Sequence, residues 1–107
     1  MRNAQPQIEK IIRRYEETLR KLGINVGRTF LFGSFAKGEQ REGSDIDLII
    51  VSSDFSKMNL RERLEILGIA AARIMQPVEA RGYTPREIEG AARVSFLKEV
   101  LKTSVIV

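Results

Sequence analysis

Residues 28–51 read RTFLFGSFAKGEQREGSDIDLIIV, two strand-like apolar runs joined by a glycine-bounded polar stretch. Arg28 to Phe32 predicts a short strand that Gly33-Ser34 brings to an end. Ile46 to Val51 is almost entirely apolar and rich in β-branched residues, so it predicts a strand buried on both faces. Between them, Phe35 to Gly43 fits a short helical turn followed by a polar loop.

Toward the N-terminus, Ile8, Ile11, Ile12, Tyr15, Leu19 and Leu22 form an apolar stripe at helical spacing, closed by Gly23. Beyond residue 51, a loop from Ser52 to Lys57 leads to a second helix with Asn59 as N-cap and Glu62 at the third position. Leu60, Leu64, Leu67, Ala71 and Ile74 mark its expected buried face, and Gln76-Pro77 stops it. Val78 to Arg81 predicts a third short strand. Thr84-Pro85-Arg86-Glu87 is a capping box with proline at the first helical position. A last helical segment is expected over about 94–102, and Val105-Ile106-Val107 as a short strand. Helices and strands alternate, which implies a small α/β layer fold.

The chain has 107 residues, so a single domain over 1–107 is expected. It contains neither cysteine nor histidine. Disulfides, thiolate nucleophiles and thiolate zinc sites are thereby excluded, as is the usual general base. Catalysis must run on carboxylates, hydroxyls, Lys/Arg, backbone amides and hard cations such as Mg²⁺. A net charge of +4 suits a polyanionic ligand, but the basic residues are scattered, which argues against a nucleic-acid face. No apolar run approaches the ~20 residues of a membrane span. With no signal-peptide h-region at the start, the expected location is cytoplasmic.

Surface charge is written in glutamate: the chain has eleven glutamates and three aspartates, and two of the three are Asp45 and Asp47. Residues i and i+2 of a strand project from the same face, so the two carboxylates are expected side by side. Two like charges this close repel, and one or two Mg²⁺ ions would resolve the conflict. Glycine at 33 lets backbone approach a phosphate, and Ser34 and the following amides can donate to it. Each element alone has a plainer explanation. A Gly-Ser turn is usually only a turn, and Asp45 can belong to a Gly43-Ser44-Asp45 turn with Asp47 facing water.

Taken together, Gly33-Ser34-Phe35-Ala36-Lys37-Gly38 followed by Ser44-Asp45-Ile46-Asp47-Leu48 closely resembles the signature of the minimal nucleotidyltransferases in the DNA polymerase beta-like superfamily. The resemblance implies a small mixed β-sheet with helices packed on it. It implies that Gly33 and Ser34 grip the triphosphate and that Asp45 and Asp47, with a third acid, hold two Mg²⁺ ions, Mn²⁺ being an alternative. Glu79 stands where that third acid is expected, though aspartate is commoner there. Its plainer role is to pair with a neighbour such as Arg81. Lys37 occupies a position where the family often has arginine, and it would reach phosphate as a point charge.

Larger members of the superfamily carry further domains for the acceptor, and none is expected within these 107 residues. The acceptor is therefore expected on a partner protein. Small members resemble the antitoxin half of toxin–antitoxin pairs whose toxin is a HEPN-domain ribonuclease. ATP is then the substrate, and AMP passes to a hydroxyl of the toxin. A competing expectation is a non-catalytic module that binds nucleotide or partner and neutralises by occlusion. Nucleotide addition to RNA or a small molecule has no support in the sequence, and a homo-oligomer remains open.

Overall fold

The computed structural model describes residues 6–41, 43–90 and 95–107. The expected start of the last helix at Val94 and the loop residue Glu42 lie outside them. In chain order the elements are α1 Pro6–Lys21, β1 Arg28–Phe32, α2 Ser34–Lys37, β2 Ile46–Val51, a 3-10 turn Ser53–Lys57, α3 Leu60–Ile74, β3 Val78–Tyr83, α4 Pro85–Glu89, α5 Ser95–Thr103 and β4 Val105–Ile106. The strands form one mixed sheet in the order β3-β2-β1-β4. β1 runs antiparallel to both β2 and β4, while β2 and β3 are parallel.

Alternation along β2 divides the packing in two. Ile46, Leu48 and Ile50 face a core built with Ile8, Ile12, Tyr15 and Leu19 of α1 and Leu67, Ala70 and Ile74 of α3. Ile49 and Val51 point the other way, into a smaller cluster with Phe30 and Leu97, flanked by Tyr83 and Ile88. Polar groups inside the first core are matched. The Tyr15 hydroxyl donates to the Leu67 carbonyl at 2.8 Å, and the buried Thr29 donates to Glu16 at 2.6 Å. Burial drives the Tyr15 pKa well above the usual phenol range.

Local signals set the helix ends. Gly23 adopts φ +99° after α1, and the Ile24 N–H reaches back to the Leu19 carbonyl. Asn59 with Glu62 and Thr84 with Glu87 both form complete capping boxes. The residues expected as a plain loop, Ser52 to Lys57, instead wind into the 3-10 turn, whose Ser52 side chain accepts from the Asp54 N–H.

The expected buried face of α3 requires correction. Leu67, Ala70 and Ile74 are buried, whereas Leu60 is 69% and Leu64 49% exposed. The early turns of α3 lie along the outer edge of β3, where these leucines and residues of β3 line a groove of about 360 Å³. β3 also runs to Tyr83, two residues beyond the expected Arg81. Gly82 permits this, since a Cβ there would lie 2.7 Å from the Phe55 ring.

Candidate active site

The end of β1, the start of β2 and the start of β3 meet at one end of the sheet. Asp47 is in register with Phe32 on one side and with Glu79 on the other. Strand partners share a face, so Asp47 and Glu79 project side by side. Gly33 follows Phe32 with φ +74° and ψ −152°, a region that glycine adopts almost alone. A Cβ on Gly33 would lie 2.2 Å from Asp47 Oδ2 and 3.0 Å from its Cγ. The carboxyl group of Asp47 therefore occupies the space a side chain at 33 would need.

Asp47 is half-buried, and its surroundings oppose its charge. Burial first, then the charge of Glu79, a hydrogen bond between the two carboxyl groups and the charge of Asp45 push its pKa up to about 6. Arg81 acts in the opposite sense. Asp45 is exposed and immediately precedes β2 rather than lying within it. It is delivered by a turn in which Ser44 Oγ accepts the Arg41 N–H at 2.8 Å and the Ser44 N–H donates to the Arg41 carbonyl at 2.9 Å.

Gly33, Asp47 and Glu79 are thus brought together, with Asp45 near enough for its charge to be felt. Ser34 opens α2 directly after Gly33, half-buried, and Lys37 ends α2 with an exposed side chain. Among the described residues, no three acidic side chains converge into a ready-made metal cluster. The donor set still suits a hard divalent cation. It is all oxygen, and its central carboxyl is repelled by the acid on either side, a repulsion such an ion relieves.

Two arginines, Arg81 and Arg63, have surroundings that local sequence does not report. Arg81 lies two residues beyond Glu79 on β3, hence on the same face, opposite Ile49. Strand alternation is the available signal for that placement, whereas sequence neighbourhood alone suggests only a pairing of Arg81 with Glu79. Arg63 donates to the carbonyls of Phe55 at 2.9 Å, Met58 at 3.1 Å and Gly82 at 3.1 Å, and to Glu87 at 2.8 Å. It ties the 3-10 turn, α3, β3 and α4 together, and nothing in its local sequence announces that role. Its guanidinium holds the Glu87 carboxyl below the usual range.

Residues 12–103 match the family model described as a nucleotidyltransferase domain. The chain belongs to the nucleotidyltransferase domain family. Two proteins of Methanocaldococcus jannaschii, each named "Putative protein adenylyltransferase", are 36% identical over 61 residues and 39% identical over 44 residues. Those stretches cover 57% and 41% of this chain and 60% and 50% of the relatives, so only part of each relative is spanned. Among solved structures, a nucleotidyltransferase-titled protein from Sulfolobus solfataricus superposes with a TM-score of 0.58 at 23% identity. It covers 99% of this chain and 89% of its own, and at that identity the likeness speaks for the fold. A structure titled as a toxin–antitoxin with AMP-PNP aligns with a TM-score of 0.50 and 27% identity, over 69% of this chain and 55% of that one.

Proposed function

We propose that this nucleotidyltransferase-family chain transfers AMP from ATP to a hydroxyl group on a partner protein, as the antitoxin of a toxin–antitoxin pair whose toxin is of the HEPN type. The observation that carries the reading is the contact of side-chain-free Gly33 with the Asp47 carboxyl, itself in register with Glu79. A phosphate-approaching turn and two acids then share one strand end. The names of the Methanocaldococcus relatives support protein as the acceptor, and the toxin–antitoxin structure solved with AMP-PNP supports the pairing and the adenine nucleotide.

In this mechanism the bare backbone of Gly33 lets the turn lie against the Asp47 carboxyl, and the Ser34 hydroxyl and the amides after it donate to phosphate oxygens. Lys37 contributes a positive charge toward the same group. Asp45, Asp47 and Glu79 are the residues that would hold Mg²⁺, or Mn²⁺ in its place. When bound, such ions offset charge on the triphosphate and lower the pKa of the acceptor hydroxyl. The acceptor oxygen bonds to the α-phosphorus as the bond to the bridging oxygen breaks. Pyrophosphate leaves, and the hydroxyl proton passes to solvent.

A second reading is a non-catalytic module that binds nucleotide or partner and neutralises by occlusion. The lack of convergence of three acids among the described residues favours it. Intact-mass spectrometry separates the two after incubation of the chain with ATP, Mg²⁺ and its co-purifying partner. A partner mass increased by AMP, abolished by Asp45→Ala and strongly slowed by Glu79→Gln, is the expected result. A stable complex whose partner mass never changes would establish the occluding module instead.

A further inference from the structure

β3 ends the sheet, and among the described residues no strand lies along its outer side. Its pairing with β2 is bracketed by the Ile46 N–H donating to the Pro77 carbonyl at 2.7 Å and the Ser52 N–H donating to the Tyr83 carbonyl at 2.9 Å. Backbone groups alternate sides along a strand. Glu79, Arg81 and Tyr83 therefore turn theirs toward β2, and Val78, Ala80 and Gly82 turn theirs outward. The two extreme outward groups are engaged within the chain. The Val78 N–H donates to the Gln76 carbonyl at 2.8 Å, and the Gly82 carbonyl accepts from Arg63 Nη1 at 3.1 Å. Between them lie the Val78 carbonyl, the Ala80 N–H, the Ala80 carbonyl and the Gly82 N–H. That order is acceptor, donor, acceptor, donor, centred on Ala80. Read in the opposite direction, it is its own complement.

We propose that a second copy of this chain docks on this edge, the two β3 strands pairing antiparallel about a twofold axis at Ala80. Each Ala80 exchanges both of its hydrogen bonds with the other, and each Gly82 N–H donates to the Val78 carbonyl across the axis. The side chains select the same register. With the axis at Ala80, Glu79 faces Arg81 of the second copy and Arg81 faces its Glu79, giving two pairs of opposite charge. An axis at Glu79 would oppose two carboxylates, and one at Arg81 two guanidinium groups.

The pairing also accounts for the apolar surface left by α3. Leu60 and Leu64, 69% and 49% exposed, line the groove along this edge, and the axis brings them against their counterparts. A sheet edge of this kind is otherwise a liability in solution. The contact is isologous and closes after two copies. It does not depend on what the site transfers, yet it bears on the site, because each copy places Arg81 beside the other's Glu79.

Sedimentation velocity on the full chain, from low micromolar to several hundred micromolar, tests this. The expected result is a concentration-dependent dimer. Ala80→Pro deletes the central outward N–H, a substitution an edge strand tolerates, and should weaken the dimer at least about tenfold. Arg81→Glu should weaken it comparably, and Glu79→Arg added to Arg81→Glu should restore it. Circular dichroism melts establish that each variant is folded. A wild-type monomer throughout the range overturns the proposal, as does a dimer that both Ala80→Pro and Arg81→Glu leave intact. A wild-type monomer whose β3 pairs only with a different protein also overturns it, and assigns the edge to a partner strand.

Discussion

The two faces of β2 live under different rules. Ile46, Leu48 and Ile50 lie beneath α1 and α3, where even the tyrosine hydroxyl has a partner. On the opposite face, Ile49 and Val51 are covered by Phe30 and Leu97, while Asp47 at the start of the strand is only half-buried among acids. One strand thus anchors the fold with its even-numbered residues and presents the candidate chemistry at the end of the odd-numbered row. The core and the candidate site are separated by a single residue of register. The most forceful way to break this division is Leu48→Ala, which removes a fully buried side chain from the first core. It should cost about 2–5 kcal/mol in urea unfolding. Asp47→Ala, next to it, should cost far less, and equal losses would erase the distinction between the faces.

Gly33→Ala probes the junction where backbone and site meet. The backbone conformation at 33 should cost about 1–3 kcal/mol for a residue with a Cβ. The collision with Asp47 Oδ2 adds to it. Combined with Asp47→Ala, the collision with Oδ2 and Cγ disappears and the loss should shrink toward its backbone part. A loss that stays the same in the double variant would show that Asp47 places no demand on position 33. Ser34→Ala sits one residue further on and should leave unfolding nearly unchanged. Its expected effect is on binding, a weakening of about 1–3 kcal/mol for a non-hydrolysable triphosphate in isothermal titration. Unaltered affinity removes Ser34 from the phosphate site.

These contrasts follow the line between what local sequence encodes and what tertiary contact decides. β1 and β2 occupy the residues their composition predicts, and both capping boxes close as read, because their causes lie within a few residues. The buried face of α3 departs from the apolar stripe because periodicity does not reveal where the sheet beneath the helix ends. Leu60 and Leu64 continue the apolar stripe but lie along the edge of β3. Likewise Gly82 looks like the end of a strand until the Phe55 ring is found in the place of its side chain. At the candidate site, the spacing of Gly33 from Asp47 was legible, and their contact follows from antiparallel pairing of β1 with β2. The pairing of Asp47 with Glu79 depends on the parallel register of β2 and β3, which no local pattern reports. For that reason Asp45 was expected as the main neighbour of Asp47, whereas Glu79 acts on it more strongly.

The smallest expected effect tests the electrostatics of that pair. The Asp47 pKa is raised in the folded chain from its ordinary 3.8 to about 6. A carboxyl whose folded pKa is raised favours the protonated form, so its ionisation opposes folding. That opposition is absent well below pH 3.8, grows as pH rises toward about 6, and is complete above it. Asp47→Asn removes the charge and should therefore raise the melting temperature in metal-free buffer at pH 7.5, with a smaller rise at pH 4.5. Magnesium should raise the melting temperature of the wild type at pH 7.5 by more than at pH 4.5, where the carboxyl holds its proton. It should raise that of Asp47→Asn less. If Asp47→Asn instead lowers the melting temperature equally at both pH values without metal, Asp47 is a structural residue and the two faces of β2 are not distinct in kind.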